Sequence, residues 1–262
     1  MKKMVLALIV FITFGFSSLF AHEFFVVPRD VKDYKAGDEV KIDVLSTHYF
    51  IKGEEIEEPS TLNSVYVLQN GKKTPLVLTA NRDRLLYETS WKPENDHPAL
   101  VVGERIGGYY CYTTEGYMDG TKKEVSASGA TVSKCLYFNK LSKTYLNSKT
   151  NDESFKKPLG QILEIVPLTN PVDITVGKSG KFQVLYDGKP FANADIFSTY
   201  DTFDPKSENA YAKKSKTDKD GIVNFDFDHK GLWLVRVNYH KPSKIADVDE
   251  DDISAIMVFN VK

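Results

Sequence analysis

The sequence predicts an all-β protein, and three observations support this fold class. Apolar and polar residues alternate over Val40–Val44, the period of a half-buried strand. Asn70-Gly71 separates two strand-like runs, which is typical of a tight hairpin. Short apolar runs bounded by turn residues then fill the C-terminal third of the chain. We therefore expect an N-terminal β domain at 22–168 and an immunoglobulin-like or prealbumin-like β-sandwich at 169–262.

The first 21 residues predict a cleaved signal peptide. Lys2 and Lys3 precede an apolar run of about 17 residues, which is marginal for a membrane span. Ala21 supplies the small residue expected before a cleavage site, and the absence of a nearby cysteine argues against a lipid anchor. We expect cleavage after Ala21, a periplasmic location, and a mature protein that does not span the membrane.

The N-terminal domain is predicted to consist of strands rich in Val, Tyr and Thr. We expect strands at 40–44, 64–68, 75–79, 85–91, 109–113 and 131–138. Residues 139–146 are predicted to form a short helix, and the polar, lysine-rich segment 147–158 an exposed loop.

A domain boundary is expected near 167–171, and the sandwich follows it. We expect strands at 173–176, 181–186, 192–199, 222–227, 232–239 and 253–261, with turns at 187–190 and 218–221. In the strand at 232–239, Trp233, Val235 and Val237 alternate with Leu232, Leu234 and Arg236, so it is predicted to lie centrally in its sheet.

Charge and cysteine content narrow the classes of function. The formal net charge of −2 gives no basic excess to attract nucleic acid. In an oxidising compartment, Cys111 and Cys135 are expected to form a disulfide that closes a loop of roughly 25 residues; a pair of thiolate ligands is the alternative. Nucleotide-binding glycine motifs and a GxSxG elbow do not occur. Nothing in the sequence calls for an enzyme.

Two histidines carry the predicted chemistry. After cleavage, His22 would offer an α-amine and an imidazole on one residue, directly before an apolar strand. His48 continues the face of Val40, Ile42 and Val44, which points it inward. An ordered terminus beside this ring would give three nitrogen donors suited to Ni²⁺, Co²⁺ or Cu²⁺. The alternatives are a frayed terminus at His22 and a buried His48 bonded to backbone.

The other polar candidates are expected to lie in solvent. His97 falls in a turn-like loop, His229 lies in a turn between Asp228 and Lys230, and His240 ends a strand. The acidic run 247–252 lacks the spacing and the glycine of a calcium loop, so we expect a solvated, flexible loop.

Several segments resemble one known family. They are Ala21–Pro28, Lys35–Val40 leading to Ser46–Phe50, Leu159–Leu168, Tyr186–Ala194 and Thr217–Gly221. Together they resemble the periplasmic components of nickel/cobalt uptake systems, a domain family of otherwise unknown function. The resemblance implies an all-β envelope protein that binds Ni²⁺ or Co²⁺ and serves a membrane transporter. It carries over only His22 and His48 as metal residues, and Thr47 replaces a glycine found in many members.

Three functions are therefore compared. The first is a periplasmic metal-binding protein that supports uptake by a transporter. The second is a carbohydrate- or protein-interaction module of the envelope, with Tyr200, Phe203 and Tyr211 as contact residues. The third is an oxidative copper enzyme, since a terminal histidine plus a second histidine also resembles the copper brace of polysaccharide monooxygenases.

Overall fold

The computed structural model describes residues 22–30, 32–146, 152–206 and 210–262. The predicted signal peptide therefore lies outside the described residues. Strands account for 54% and helices for 7% of the described residues, so the predicted all-β class is confirmed. No helix among the described residues has the length and apolar character needed to cross a membrane.

The strands follow one another along the chain with few helices between them. They are β1 Glu23–Pro28, β2 Val40–Thr47, β3 Leu62–Gln69, β4 Lys72–Pro75, β5 Thr79–Asn81, β6 Leu86–Trp91, β7 Ala99–Thr113, β8 Gly116–Asp119, β9 Val132–Leu146, β10 Leu163–Pro167, β11 Lys178–Tyr186, β12 Lys189–Pro190, β13 Asp195–Tyr200, β14 Lys213–Lys216, β15 Ile222–Phe227, β16 Gly231–Pro242 and β17 Glu250–Val261. The helix α1 spans Lys122–Ala127, and short 3₁₀ helices cover Pro59–Thr61, Glu153–Lys156 and Pro171–Asp173.

These strands form three sheets. The first has the order β1-β2-β6-β5, and the second contains β10, β11, β12 and β15. The third is a nine-stranded sheet of order β14-β13-β16-β17-β9-β7-β3-β4, with β8 beside β7. The nine-stranded sheet crosses the predicted boundary at 168/169, because β9 pairs in parallel with β17. The division into two domains stays a prediction.

The strand β1 is buried on both faces. Phe24 and Val26 pack in a cluster with Val101 of β7, whereas Phe25 packs in a second cluster with Leu234 of β16. The first sheet therefore meets both halves of the nine-stranded sheet. This double burial fixes the position of the segment that directly follows His22.

The outer edge of β1 is hydrogen-bonded by side chains of β9. The Val26 amide donates to Ser142 Oγ at 3.2 Å, and the Thr144 hydroxyl donates to the Val26 carbonyl. An edge strand without such partners would leave backbone groups unsatisfied in the core. The two hydroxyls thus hold β1 against the larger sheet.

The C-terminal part is a β-sandwich, as predicted. Side chains of β10, β11 and β15 pack against one face of β13, β16 and β17 in the largest apolar cluster, with Trp233 fully buried. The strand β16 lies between β13 and β17 and contributes Leu234 and Arg236 to the opposite face. Its predicted central position is confirmed.

The prediction of a helix at 139–146 is wrong, since these residues form the second half of β9. They pair with β7 on one side and with β17 on the other. Lys140 and Lys143 made the segment look polar, but both side chains are buried against carboxylates. Lys140 donates to Asp252 at 2.7 Å and Lys143 to Glu164 at 2.7 Å.

The acidic run is also only partly a loop. Residues from Glu250 onward belong to β17, and Asp252 is 3% exposed, so a flexible loop over 247–252 is wrong. Burial opposes ionisation of Asp252, but the charges of Lys140 and His240 and hydrogen bonds from Lys140 and Asn238 outweigh it. They hold the pKa of Asp252 well below its ordinary value.

Smaller differences concern strand ends. Asn70 and Gly71 both have positive φ, as the predicted hairpin requires, but the returning strand is β4 rather than 75–79. The described residues 173–176 do not form the predicted strand, because a 3₁₀ turn capped by Asn170 covers Pro171–Asp173. In the predicted exposed loop 147–158, residues 147–151 lie outside the described residues, and a 3₁₀ helix buries Phe155.

Candidate metal centre

His22 and His48 face each other across the ends of β1 and β2. In this antiparallel pair Phe24 lies opposite Ser46 and Glu23 opposite Thr47. One step further in the same register, His22 lies opposite His48. Side chains of directly opposed residues are near neighbours in an antiparallel pair. The ring centroids are accordingly 4.1 Å apart, at an interplanar angle of 51°.

Glu54 completes the cluster from a neighbouring loop. The chain turns after His48, with the Lys52 amide donating to the Tyr49 carbonyl at 3.1 Å, and returns beside β2 through a bridge between Ser46 and Glu55. This return brings Glu54 Oε2 to 3.1 Å from His48 Nδ1 and 3.6 Å from His22 Nε2.

The same carboxylate oxygen is held in place by donors from the last residue of β2 and the residue that follows it. The His48 amide donates to Glu54 Oε2 at 2.5 Å, and Thr47 Oγ1 lies 3.1 Å from it. Burial opposes ionisation of Glu54, but the hydrogen bonds from His48 and Thr47 and the charges of both histidines lower its pKa. Glu54 is therefore an anion with a defined position.

The three side chains have the spacing of metal ligands. One ligand atom from each of His22, His48 and Glu54 lies within 4.8 Å of the other two. With metal–ligand bonds of about 2.0–2.2 Å, neighbouring ligands around one ion lie about 3.0–3.5 Å apart. The separations of 3.1 and 3.6 Å are close to that range. Two imidazoles and a carboxylate suit a borderline divalent transition metal.

Glu55 orients the ring of His22. Its Oε1 lies 2.6 Å from His22 Nδ1, and the two side chains differ in burial, with His22 16% and Glu55 44% exposed. Burial opposes protonation of His22, but the hydrogen bond to Glu55 and the charges of Glu54, Glu55 and Glu57 outweigh it and raise its pKa. The bond from His22 also lowers the pKa of Glu55, against its partial burial.

An ion pair lies behind this carboxylate. Glu57 is 6% exposed and bonds through Oε2 to the guanidinium of Arg105. Burial raises the pKa of Glu57, although the charge of Arg105 opposes the rise. Burial likewise lowers the pKa of Arg105. The positive charge of Arg105 also attracts Glu55, so the pair supports the carboxylate that holds His22.

A second buried ion pair anchors the residue next to His22. Glu23 is 1% and Arg236 3% exposed, and Arg236 Nε donates to Glu23 Oε1 at 2.7 Å. Burial opposes the charge on Arg236, but Glu23 outweighs it and raises the pKa of the guanidinium. This contact links β1 to β16 and fixes the direction in which His22 leaves the core.

Sequence reasoning identified both histidines but missed the carboxylates. Glu54, Glu55 and Glu57 lie in a polar segment that reads as an ordinary exposed loop. The available signal was an acidic group that returns within seven residues of His48. That spacing acquires meaning only once the loop is known to turn back beside β2.

The three remaining histidines do not belong to this group, and they are exposed, as expected. His97 Nδ1 is 3.9 Å from Asp152, His229 Nδ1 is 2.8 Å from Asp228, and His240 Nε2 is 3.5 Å from Asp252. In the described part of the chain, the group of His22, His48 and Glu54 is the one with the spacing of a metal site.

Cys111 and Cys135 form a disulfide between directly opposed residues of β7 and β9. Both are fully buried and pack beside Val125 of α1. The bridge ties the β7–β8–α1–β9 segment together. The two sulfur atoms are bonded to each other, and neither cysteine belongs to the group of His22, His48 and Glu54.

The aromatic residues of the alternative interaction surface are largely engaged within the protein. Tyr211 packs on Phe197 at 5.1 Å and is partly buried against the core cluster that contains Leu234. Tyr200 stacks on His229 with ring centroids 4.1 Å apart. Phe203 packs edge-on against Tyr200 at 5.7 Å.

Comparison with known proteins gives a family match and weak structural likenesses. A family model described as "Domain of unknown function (DUF4198)" matches residues 19–241. None of the curated proteins matches the chain. The solved D0-D1 domain of intimin is similar over 90% of this chain and 97% of its own, with 12% identity and a TM-score of 0.22. A native α2-macroglobulin from Escherichia coli, spanning domains MG0-NIE-MG1, covers 91% and 97%, with 8% identity and a TM-score of 0.23. Scores this low support no conclusion about function.

Proposed function

This chain belongs to the DUF4198 family, a family of unknown function, and we propose that it binds a divalent transition-metal ion, nickel or cobalt, in the periplasm and supports its uptake by a membrane transporter. The observation that carries the proposal is the convergence of His22, His48 and Glu54. The choice of nickel or cobalt comes from the family resemblance of the sequence. Cu²⁺ is a further candidate, because imidazole nitrogens bind it well.

The roles of the residues follow from their geometry. His22 Nε2, His48 Nδ1 and Glu54 Oε2 would supply three donors on one side of an ion, and water would complete the shell. Binding would replace the hydrogen bond between His48 Nδ1 and Glu54 Oε2, with release of its proton. Thr47 and the His48 amide orient Glu54, while Glu55 orients His22. Hydrogen bonds to the far side of metal ligands fix their orientation and commonly change metal affinity about 10–100-fold.

We propose binding without catalysis. The site supplies ligands, but the nearby carboxylates are engaged in orienting those ligands or in the ion pair with Arg105. A reversible carrier needs a site that binds an ion and releases it. Partly exposed ligands meet that need, since the side chains of His22 and His48 are 16% and 17% exposed.

The direct test is calorimetric titration of the protein beginning at His22 with Ni²⁺, Co²⁺ and Cu²⁺. We expect one ion per chain, with affinity reduced at least tenfold in His48→Ala and Glu54→Gln. His97→Ala is the matched control, because it removes an exposed imidazole that lies beside another carboxylate. Absence of binding by the unaltered protein, or equal affinities in all variants, would overturn the proposal.

Metal and proton compete for the same nitrogen atoms. The affinity should therefore fall as the pH drops, because a protonated imidazole nitrogen cannot bind a metal ion. Repeating the titration from pH 8 to pH 5 tests this competition. An affinity that is constant over that range would show that the imidazoles are not ligands.

A further inference from the structure

We propose that Glu55 is a specificity-determining positioning residue: it occupies His22 Nδ1, so that His22 presents Nε2 to the metal and cannot form a chelate with its own backbone amine. This inference rests on the proposed metal-binding function. It distinguishes two coordination modes of His22, through Nε2 alone or through Nδ1 together with the amine, which the positions of the three ligands do not distinguish.

The first step is the assignment of the His22 tautomer. Glu55 Oε1 lies 2.6 Å from Nδ1, and an ionised carboxylate can only accept a hydrogen bond. Nδ1 must therefore carry the proton. In the neutral ring the lone pair is then on Nε2, the nitrogen that lies 3.6 Å from Glu54 Oε2.

The second step concerns the reach of an amine on the same residue. A histidine amine and its own Nδ1 close a six-membered ring around one ion, whereas Nε2 points away on the far side of the imidazole. If the mature chain begins at His22, Glu55 and the amine chelate compete for Nδ1. Only one of the two arrangements can exist at a time.

The third step is that Glu55 is held in place. Its backbone pairs with Ser46 in an isolated bridge beside β2. The buried Arg105, paired with Glu57, attracts its carboxylate from behind. The position of Glu55 is therefore set by the fold and not by the ion.

The two modes favour different metals. Two imidazole nitrogens and a carboxylate oxygen, arranged around one side of an ion, suit Co²⁺ and Ni²⁺ with additional water. An amine and Nδ1 chelate with a second imidazole supplies the planar nitrogen set that Cu²⁺ prefers. With Glu55 in place, the preference of the protein for Cu²⁺ over Co²⁺ and Ni²⁺ should be weaker than that of a free terminal histidine.

The experiment compares Glu55→Ala, Glu55→Gln and the control Glu58→Gln, which changes an exposed acidic residue of the same segment. Each is made in the chain that begins at His22 and in one with a single glycine before His22. Measurements are the His22 tautomer in metal-free protein by long-range ¹H–¹⁵N NMR, titrations with Co²⁺ and Cu²⁺, and the electron paramagnetic resonance spectrum of bound Cu²⁺.

We expect the Nδ1–H tautomer in the unaltered protein and its loss in Glu55→Ala. Affinity for Co²⁺ should fall about 10–100-fold in Glu55→Ala. In Glu55→Ala, the spectrum of bound Cu²⁺ should show one additional nitrogen donor. The extra glycine before His22 should abolish this change. Glu55→Gln should keep the original tautomer and metal preference, because the amide oxygen still accepts from Nδ1–H.

Two outcomes would overturn the inference and are separable from each other. If the unaltered protein binds metal but Glu55→Ala leaves the tautomer, the Co²⁺ affinity and the Cu²⁺ spectrum unchanged, the role of Glu55 is refuted and the metal site stands. If the unaltered protein binds neither Co²⁺ nor Cu²⁺, both proposals fail.

Discussion

The buried pair of Glu23 and Arg236 offers a quantitative test of how β1 is anchored. Replacing Glu23 by Gln removes the charge that balances a guanidinium only 3% exposed, while conserving the size of the side chain. Breaking a buried ion pair from one side costs about 3–5 kcal/mol, because the remaining charge has lost its solvation and its partner. We therefore expect Glu23→Gln to lower the free energy of unfolding by about 3 kcal/mol or more.

The cost belongs to the unpaired charge and not to the loss of a contact alone. The double variant Glu23→Leu with Arg236→Met replaces both partners by apolar side chains, and such replacements are often neutral or stabilising. It should therefore recover most of the stability. Glu94→Gln is the matched control, because it breaks an exposed pair with Lys72 whose side chains are 65% and 62% exposed; its effect should stay below about 1 kcal/mol.

Urea unfolding at pH 7, followed by tryptophan fluorescence, measures all three variants on one scale. Since Glu23 precedes the edge contacts of β1 and follows His22, metal affinity should fall together with stability in Glu23→Gln. A loss no larger than that of Glu94→Gln would refute the reasoning. It would mean that the Arg236 charge is solvated or compensated without Glu23.

Three further predictions concern other parts of the fold. Because its pKa is lowered, Asp252 stabilises the protein at pH values above the ordinary carboxyl pKa of about 4, and this contribution is lost as the pH falls toward the lowered value. Thermal unfolding of Asp252→Asn should therefore show a lower Tm at pH 7 and a smaller decrease in Tm between pH 7 and pH 3 than the unaltered protein. Parallel profiles of Tm against pH in the two proteins would contradict this. Removing the disulfide by Cys111→Ser with Cys135→Ser should cost about 3 kcal/mol in urea unfolding, and a change under about 1 kcal/mol would contradict the loop-closure argument. Gly103→Ala would bring a methyl group into steric overlap with Val26 Cγ1, so overpacking should cost about 1–3 kcal/mol and weaken metal binding by displacing β1. Lowered stability with unchanged metal affinity would show that the position of β1 does not control the site.

Much of the local structure could be predicted because it depends on short segments. The Asn70-Gly71 hairpin follows from the backbone preferences of two residues, and the alternation in β2 follows from burial of one side of a strand. The central strand β16 could be recognised because Leu232–Val235 are apolar on both faces of the strand. In each case the information lies within about ten residues.

The failures share one cause, which is a partner distant in sequence. Lys140 reads as a surface residue until Asp252 is placed beside it, and the two are separated by 112 positions. The segment predicted to be a helix lies instead in the centre of a sheet, because β9 pairs in parallel with β17. Local propensity is a weak preference that such tertiary contacts override.

The sequence by itself determined an all-β chain and the two histidines whose chemistry suits a transition metal. The tertiary structure decided that His22 and His48 are opposite partners, because the β1–β2 register is fixed by packing on both faces of β1 and not by the long connection between the strands. It also decided that Glu54 joins them and that Glu55 takes Nδ1 of His22. Periodicity records which side of a strand is buried, whereas the identity of a neighbour across a sheet depends on how the whole chain packs.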